Sequence, residues 1–137
     1  VMKKPVADKK LELLARQTVG SYGFYNAFTS ASGTVNKLSY YTFFQYKRGN
    51  GWRENSHFDN HTFFGNLNYA ISDKTRVAFD VTQMGYLAQQ PGGLTDEMFK
   101  QDPRQTNRAR NWFKVNWNLL ALTLDYRLSD RTTIMAS

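Results

Sequence analysis

Between residues 100 and 114 the chain carries five cations, Lys100, Arg104, Arg108, Arg110 and Lys114, against a single carboxylate, Asp102. Amides are interleaved with them at Gln101, Gln105, Asn107 and Asn111. A guanidinium is a planar fork of N–H donors that matches carboxylate or phosphate oxygens two at a time. Side-chain amides set neutral donors beside it. The run therefore suits a multiply charged anion. Three readings stay open on composition alone: a small anionic ligand, the phosphates of a lipid surface, or a solvated loop.

A second cluster, "HFDNH", puts His57, Asp59 and His61 at alternate positions. On a strand these share a face, as a metal site would need. Polar residues where a loop meets a strand give the same pattern. Ser56, His57 and Asp59 are too close in sequence to converge as a hydrolase triad. There is no G-x-S-x-G, no P-loop and no dinucleotide fingerprint. The chain has no cysteine, so disulfides and thiolate metal sites are excluded. Nothing points to an enzyme or to a resident cofactor.

The elements that must position these residues read as strands. Aromatic residues make up 15% of the 137 residues, and the formal net charge is +7. The charge suggests an acidic partner; the aromatics fit strands or an interfacial belt. "KKLELLARQTVG" is ambiguous between helix and strand, and its neighbours decide for strand. "GFYNAFTSASGTV", "LSYYTFFQYKR" and "HTFFGNLNYAI" have strand composition, with Gly65 and Ala70 where strands crowd. "TRVAFDVTQMGY" alternates Val77, Phe79 and Val81 with Arg76, Asp80 and Thr82. In "WFKVNWNLLALTLDYRL" the apolar phase flips near Leu119 and Leu120, where a bulge is expected. Trp112, Phe113 and Trp117 would form part of an aromatic girdle.

Connection lengths complete the layout. Asn36–Lys37, "SDKT" and "SDRT" are tight turns, while those around 49–57 and 88–111 are longer and polar. In an up-and-down meander the tight turns fall at one end and the long loops at the other. The strands are about ten to sixteen residues long, enough to span an outer membrane at about ten residues each. The expected fold is all-β: an antiparallel up-and-down meander of six to seven long strands, an arc of a larger transmembrane barrel. Both ends of the chain look cut, as in a piece of something longer. A basic, aromatic β-protein could also bind nucleic acid, but the RNA-recognition-motif signature is absent and the strands are long for a small OB-like barrel.

The stretch "PGGLTDEMFKQDPRQTNRARNWF" resembles the third extracellular loop region of TonB-dependent outer-membrane receptors of the ferric-citrate subgroup. "SYYTFFQYKRGNGWRENS" is similar to an early barrel strand and loop of that family, and "VMKKP" resembles the last strand of its plug domain. The resemblance covers nearly the whole chain, and the loop motif is its specific part. One departure is Ala109 after Arg108, where the family pattern has a proline.

The resemblance implies a 22-stranded barrel closed by a plug. Residues 1–9 would end the plug and residues 10–137 would form the first barrel strands. It implies an outer-membrane location in a Gram-negative bacterium and uptake of an iron(III) chelate, ferric citrate first. The TonB complex would act through the plug, with outer-membrane lipid and lipopolysaccharide around the wall and no nucleic-acid partner. The chelate-gripping role carries to Arg104 and Arg108, then to Arg110 and the neighbouring Gln105. Pro91, Gly92 and Gly93 would supply a hinge for loop closure. Another siderophore, an oligosaccharide or a peptide would serve as substrate in the same architecture. A partly helical, irregular segment is expected near 94–104.

Overall fold

The computed structural model describes residues 9–129 and 131–137. The expected plug junction over residues 1–9 thus lies, Lys9 apart, outside the described residues. Seven strands follow one another: β1 (Glu12–Gly20), β2 (Phe24–Val35), β3 (Leu38–Gly49), β4 (Phe58–Ala70), β5 (Thr75–Gln89), β6 (Trp112–Ser129) and β7 (Thr132–Ala136). They form one sheet in sequence order, each antiparallel to the next. One short helix, α1 (Asp96–Gln101), interrupts the β5–β6 connection. The ambiguous N-terminal segment is a strand because all of β1 pairs with β2, from Glu12 opposite Ser32 to Gly20 opposite Phe24.

Successive strand residues point to opposite faces, and directly paired residues share one. The register therefore sorts every side chain. One face carries Ser30, Ser32, Tyr41, Phe43, Phe64, Asn66, Asp80, Thr82, Ala121 and Thr123. Ser30, Ser32, Tyr41 and Phe64 are buried. In a single layer side chains can bury only one another, so this is the face toward which the sheet curls, the inner face. Its polar groups satisfy each other: Asn66 Nδ2 donates to Asp80 Oδ1 at 2.7 Å and Gln45 Nε2 to Asn26 Oδ1 at 3.0 Å. Among them stack Phe28, Phe43 and Phe64, with neighbouring ring centroids 5.5 Å apart.

The outer face is apolar over the half nearest the tight turns. Three consecutive rows run Leu38–Tyr69–Val77–Leu124, Tyr40–Leu67–Phe79–Leu122 and Thr42–Gly65–Val81–Leu120. Leu120 and Leu122 are 67% and 62% exposed. The whole chain exposes 10120 Å². A compact monomer of 15.9 kDa would expose about 7,400 Å². Among the described residues the sheet has no second layer, and its apolar rows lie on the outer face. Gly65 sits where crowding was expected: a Cβ there would come within 3.1 Å of Val81.

The turns at one end are tight and share their chemistry. Asn36 takes a φ of 54° between β2 and β3. Ser72 Oγ accepts from Lys74 N at 3.2 Å, and Ser129 Oγ from Arg131 N at 3.3 Å, so the two "SD" turns close alike. The opposite end holds the long connections, 50–57 and 90–111, with one exception. The β1–β2 connection, residues 21–23, is also tight, with Tyr22 and Gly23 at φ 58° and 67°.

Two expectations for β6 need correction. No bulge separates Leu119 from Leu120: the β5–β6 register is continuous from Gln89–Trp112 to Thr75–Tyr126. The irregularity lies between Arg127 and Ser129 instead. Nor do the three aromatics form one girdle. Trp112 is on the outer face, whereas Phe113 and Trp117 are on the inner one, and Phe113 packs edge-on against Tyr86 at 6.4 Å. The change of apolar phase is a change of occupied face along a regular strand.

Candidate functional site

The long loop 90–111 is built on a small helix and held by its neighbour. Thr95 caps α1 by accepting from Met98 N at 3.3 Å; Asp96 and Glu97 sit in its first turn and Lys100 in its last. That charge order suits the helix dipole. The helix matches the partly helical segment expected there. Beyond it, Arg104 N donates to Asp102 Oδ1 at 2.8 Å, which turns the chain back.

The shorter loop, 50–57, fastens this excursion. Arg53 donates from Nη1 to the Gly92 carbonyl and from Nη2 to the Gln105 carbonyl, both at 2.8 Å. The Asn55 amide donates to the carbonyls of Gln90, Arg108 and Asn111, at 3.2, 2.7 and 3.0 Å. Backbone bonds add Glu54 N to Arg104 O at 2.9 Å and Gln89 N to His57 O at 2.8 Å. Neither Arg53 nor Asn55 was singled out by sequence. Their partners lie 35 to 56 residues away, and nothing local marks such a contact.

The hinge expected at residues 91–93 is tied down in this arrangement. The Pro91 carbonyl accepts from Asn107 N and from Thr106 Oγ1, at 3.3 and 3.1 Å. The Gly93 carbonyl accepts from Asn107 Nδ2 at 2.6 Å. Gly92 has a φ of 74° and lies against Asn107 and Arg108, so a Cβ there would be strained and obstructed. Its glycine serves a close fit between loop limbs.

The four expected ligand residues are not equivalent. Arg104 is exposed; its Nε donates to the Trp52 carbonyl at 3.1 Å, and its two Nη groups make no hydrogen bond to the described residues. Arg108 is exposed, and its side-chain carbons run past Gly92. Gln105 is half-buried and directs Nε2 to the Met98 carbonyl at 2.5 Å, which makes it a brace for the end of α1 with only Oε1 left over. Arg110 stands apart. It lines a groove of about 360 Å³ with Trp112 and Lys114, on the outer side of the sheet. All three arginines thus lie on one strapped loop, and Arg110 is the one that lines the groove at the start of β6.

The "HFDNH" residues take other roles. Asp59 accepts from Tyr46 Oη at 2.5 Å, His57 Nδ1 lies 3.2 Å from Asn50 Oδ1, and the His61 ring covers Gly85. Among the described residues no three His, Cys, Asp or Glu side chains are grouped to hold a metal. No helix among them is long and apolar enough to cross a membrane, which says nothing of strands. No protein-family model and no curated protein sequence matches the chain.

Proposed function

We propose that this chain is part of a TonB-dependent outer-membrane transporter that takes up an iron(III) chelate, with ferric citrate as the first candidate. The observation that carries this reading is the two-faced single-layer sheet. Its apolar rows face outward, while its inner face mixes mutually bonded polar residues with a cluster of aromatic rings, an arrangement that suits lipid outside and a filled lumen inside. The loop lengths agree with it: apart from the tight 21–23 connection, the short turns lie at one end, toward the periplasm, and the long polar loops at the other, toward the medium.

The chelate is the substrate, a compact anion covered in carboxylates. Arg104 and Arg108 attract it over about a Debye length, roughly 8 Å at physiological salt. At contact, the free Nη groups of Arg104 and the guanidinium of Arg108 form charge-assisted bonds with its oxygens. Gln105 braces the turn that carries them. Because Arg53 and Asn55 already order the loop, little conformational entropy remains to be lost on binding. Equilibrium binding of ferric citrate to the full-length protein tests the assignment. Arg104→Ala with Arg108→Ala should weaken binding at least about tenfold, as expected for losing two bonds to charged groups. Unchanged affinity removes these residues from the site. Growth of a deletion strain on candidate iron sources then separates citrate from other anionic chelates.

A further inference from the structure

The inner face carries a second group of cations, at the end opposite the long loops. A cavity of about 320 Å³ opens there beside the β4–β5 turn, and its lining includes Lys74, Arg76, Asp125, Arg127 and Thr133. The register fixes its floor. Arg76 pairs with Asp125, and Arg127 with Thr133, all on the inner face that carries Asp80 and Thr123. The Lys74 carbonyl accepts from Arg127 N at 2.8 Å, which ties the turn to β6. The next inner pair above Arg76 and Asp125 is Ala78 and Thr123, whose short side chains leave the cavity open toward the middle of the face.

Arg76 and Arg127 are exposed, and neither guanidinium donates to another described residue. Even Asp125, directly across from Arg76, forms no ion pair with it. Two free forks and an ammonium on one concave wall suit a ligand with several anionic oxygens. Charge sets this site apart from the long loop. Its lining holds three cations against two carboxylates, Asp73 and Asp125. Residues 100–114 hold five cations against one. The same anion is therefore held less tightly here, and a site at the end of a path must be weak enough for its ligand to leave. We propose that this cavity is an exit-side site for the carboxylates of the transported chelate, at the periplasmic mouth of the lumen. Arg76 and Arg127 take carboxylate oxygens, Lys74 adds a point charge, and the Thr133 hydroxyl is a neutral donor. The site rests on the transporter reading, which makes this face the lumen wall and this end the periplasmic one.

The test uses the full-length protein in detergent, where both mouths meet solution, with ferric citrate as the probe in equilibrium dialysis. Two classes of site should appear, the second at least about tenfold weaker than the first. Arg76→Gln with Arg127→Gln should abolish the weak class and leave the tight one, whose retention reports a folded protein. Arg76→Lys with Arg127→Lys should restore the weak class in part, because the charge remains. Free citrate should displace the probe from it, and chloride at equal ionic strength should not. A single class in the wild type, or a weak class that survives in the glutamine pair, overturns the exit site and leaves the transporter reading standing. Equal loss in the lysine and glutamine pairs, or displacement by chloride as readily as by citrate, overturns it as well. Survival of the tight class in Arg104→Ala with Arg108→Ala counts against the loop and not against the exit site. No binding by the wild type would overturn both.

Discussion

Arg53 shows how one side chain can hold the shape of a long loop. Its two Nη groups hold Gly92 and Gln105, on either side of α1, while its Nε is buried without a partner. A lysine ammonium reaches one point and cannot span two carbonyls in a fixed fork. Arg53→Lys and Arg53→Ala should therefore both loosen residues 90–111. Losing one or two charge-assisted bonds should speed protease nicking of that loop on intact cells by at least about tenfold. Nicking at the wild-type rate in both variants would mean that Asn55 and the backbone bonds suffice. The cationic run 100–114 was legible as chemistry because it needs only composition. The braces were not, because "GNGWREN" reads as a polar turn, and its reach to Gly92 and Gln105 exists only once β3 to β6 are side by side. The same is true of Arg110. Sequence proximity groups it with Arg108, but the start of β6 turns it outward beside Lys114.

At the scale of the element, β6 carries the main lesson. Leu120, Leu122 and Leu124 share the outer face, as their spacing predicts, and β5 supplies Val77, Phe79 and Val81 opposite them. Period-two alternation was readable wherever one face meets a uniform environment. It misled above Leu120, where Phe113, Val115, Trp117 and Leu119 occupy the inner face of an unbroken strand. Outside the apolar rows neither face is constrained to be apolar, so a switch of phase needs no bulge. A direct consequence is face-dependent tolerance. Leu122→Arg should destabilise the inserted barrel by about 2–4 kcal/mol, as for a cation near the bilayer midplane. Thr123→Arg, one residue on and inward, should cost much less. Heat-modifiable migration of the full-length protein from outer membranes, titrated with denaturant, measures both. Equal cost at the two positions would contradict the outward assignment of Leu122.

For the whole molecule, the exposed area and the outward leucines are what a soluble monomer would avoid and a barrel wall requires. The meander and its approximate strand count were legible from loop lengths and alternation. The tight connection at residues 21–23 was not, because Tyr22 adopts a left-handed conformation that its residue type does not advertise. The central claim is that one end of this sheet faces the medium and the other the periplasm. Because the 137 residues contain no cysteine, a single one can be placed at either end without background from this part of the protein. Lys100→Cys, on α1, and Lys74→Cys, in the β4–β5 turn, should be compared in intact cells with a membrane-impermeant maleimide. The membrane-barrel account predicts labelling of Lys100→Cys at once and of Lys74→Cys only after the outer membrane is permeabilised. Equal labelling of both in intact cells, or of neither until lysis, would contradict it.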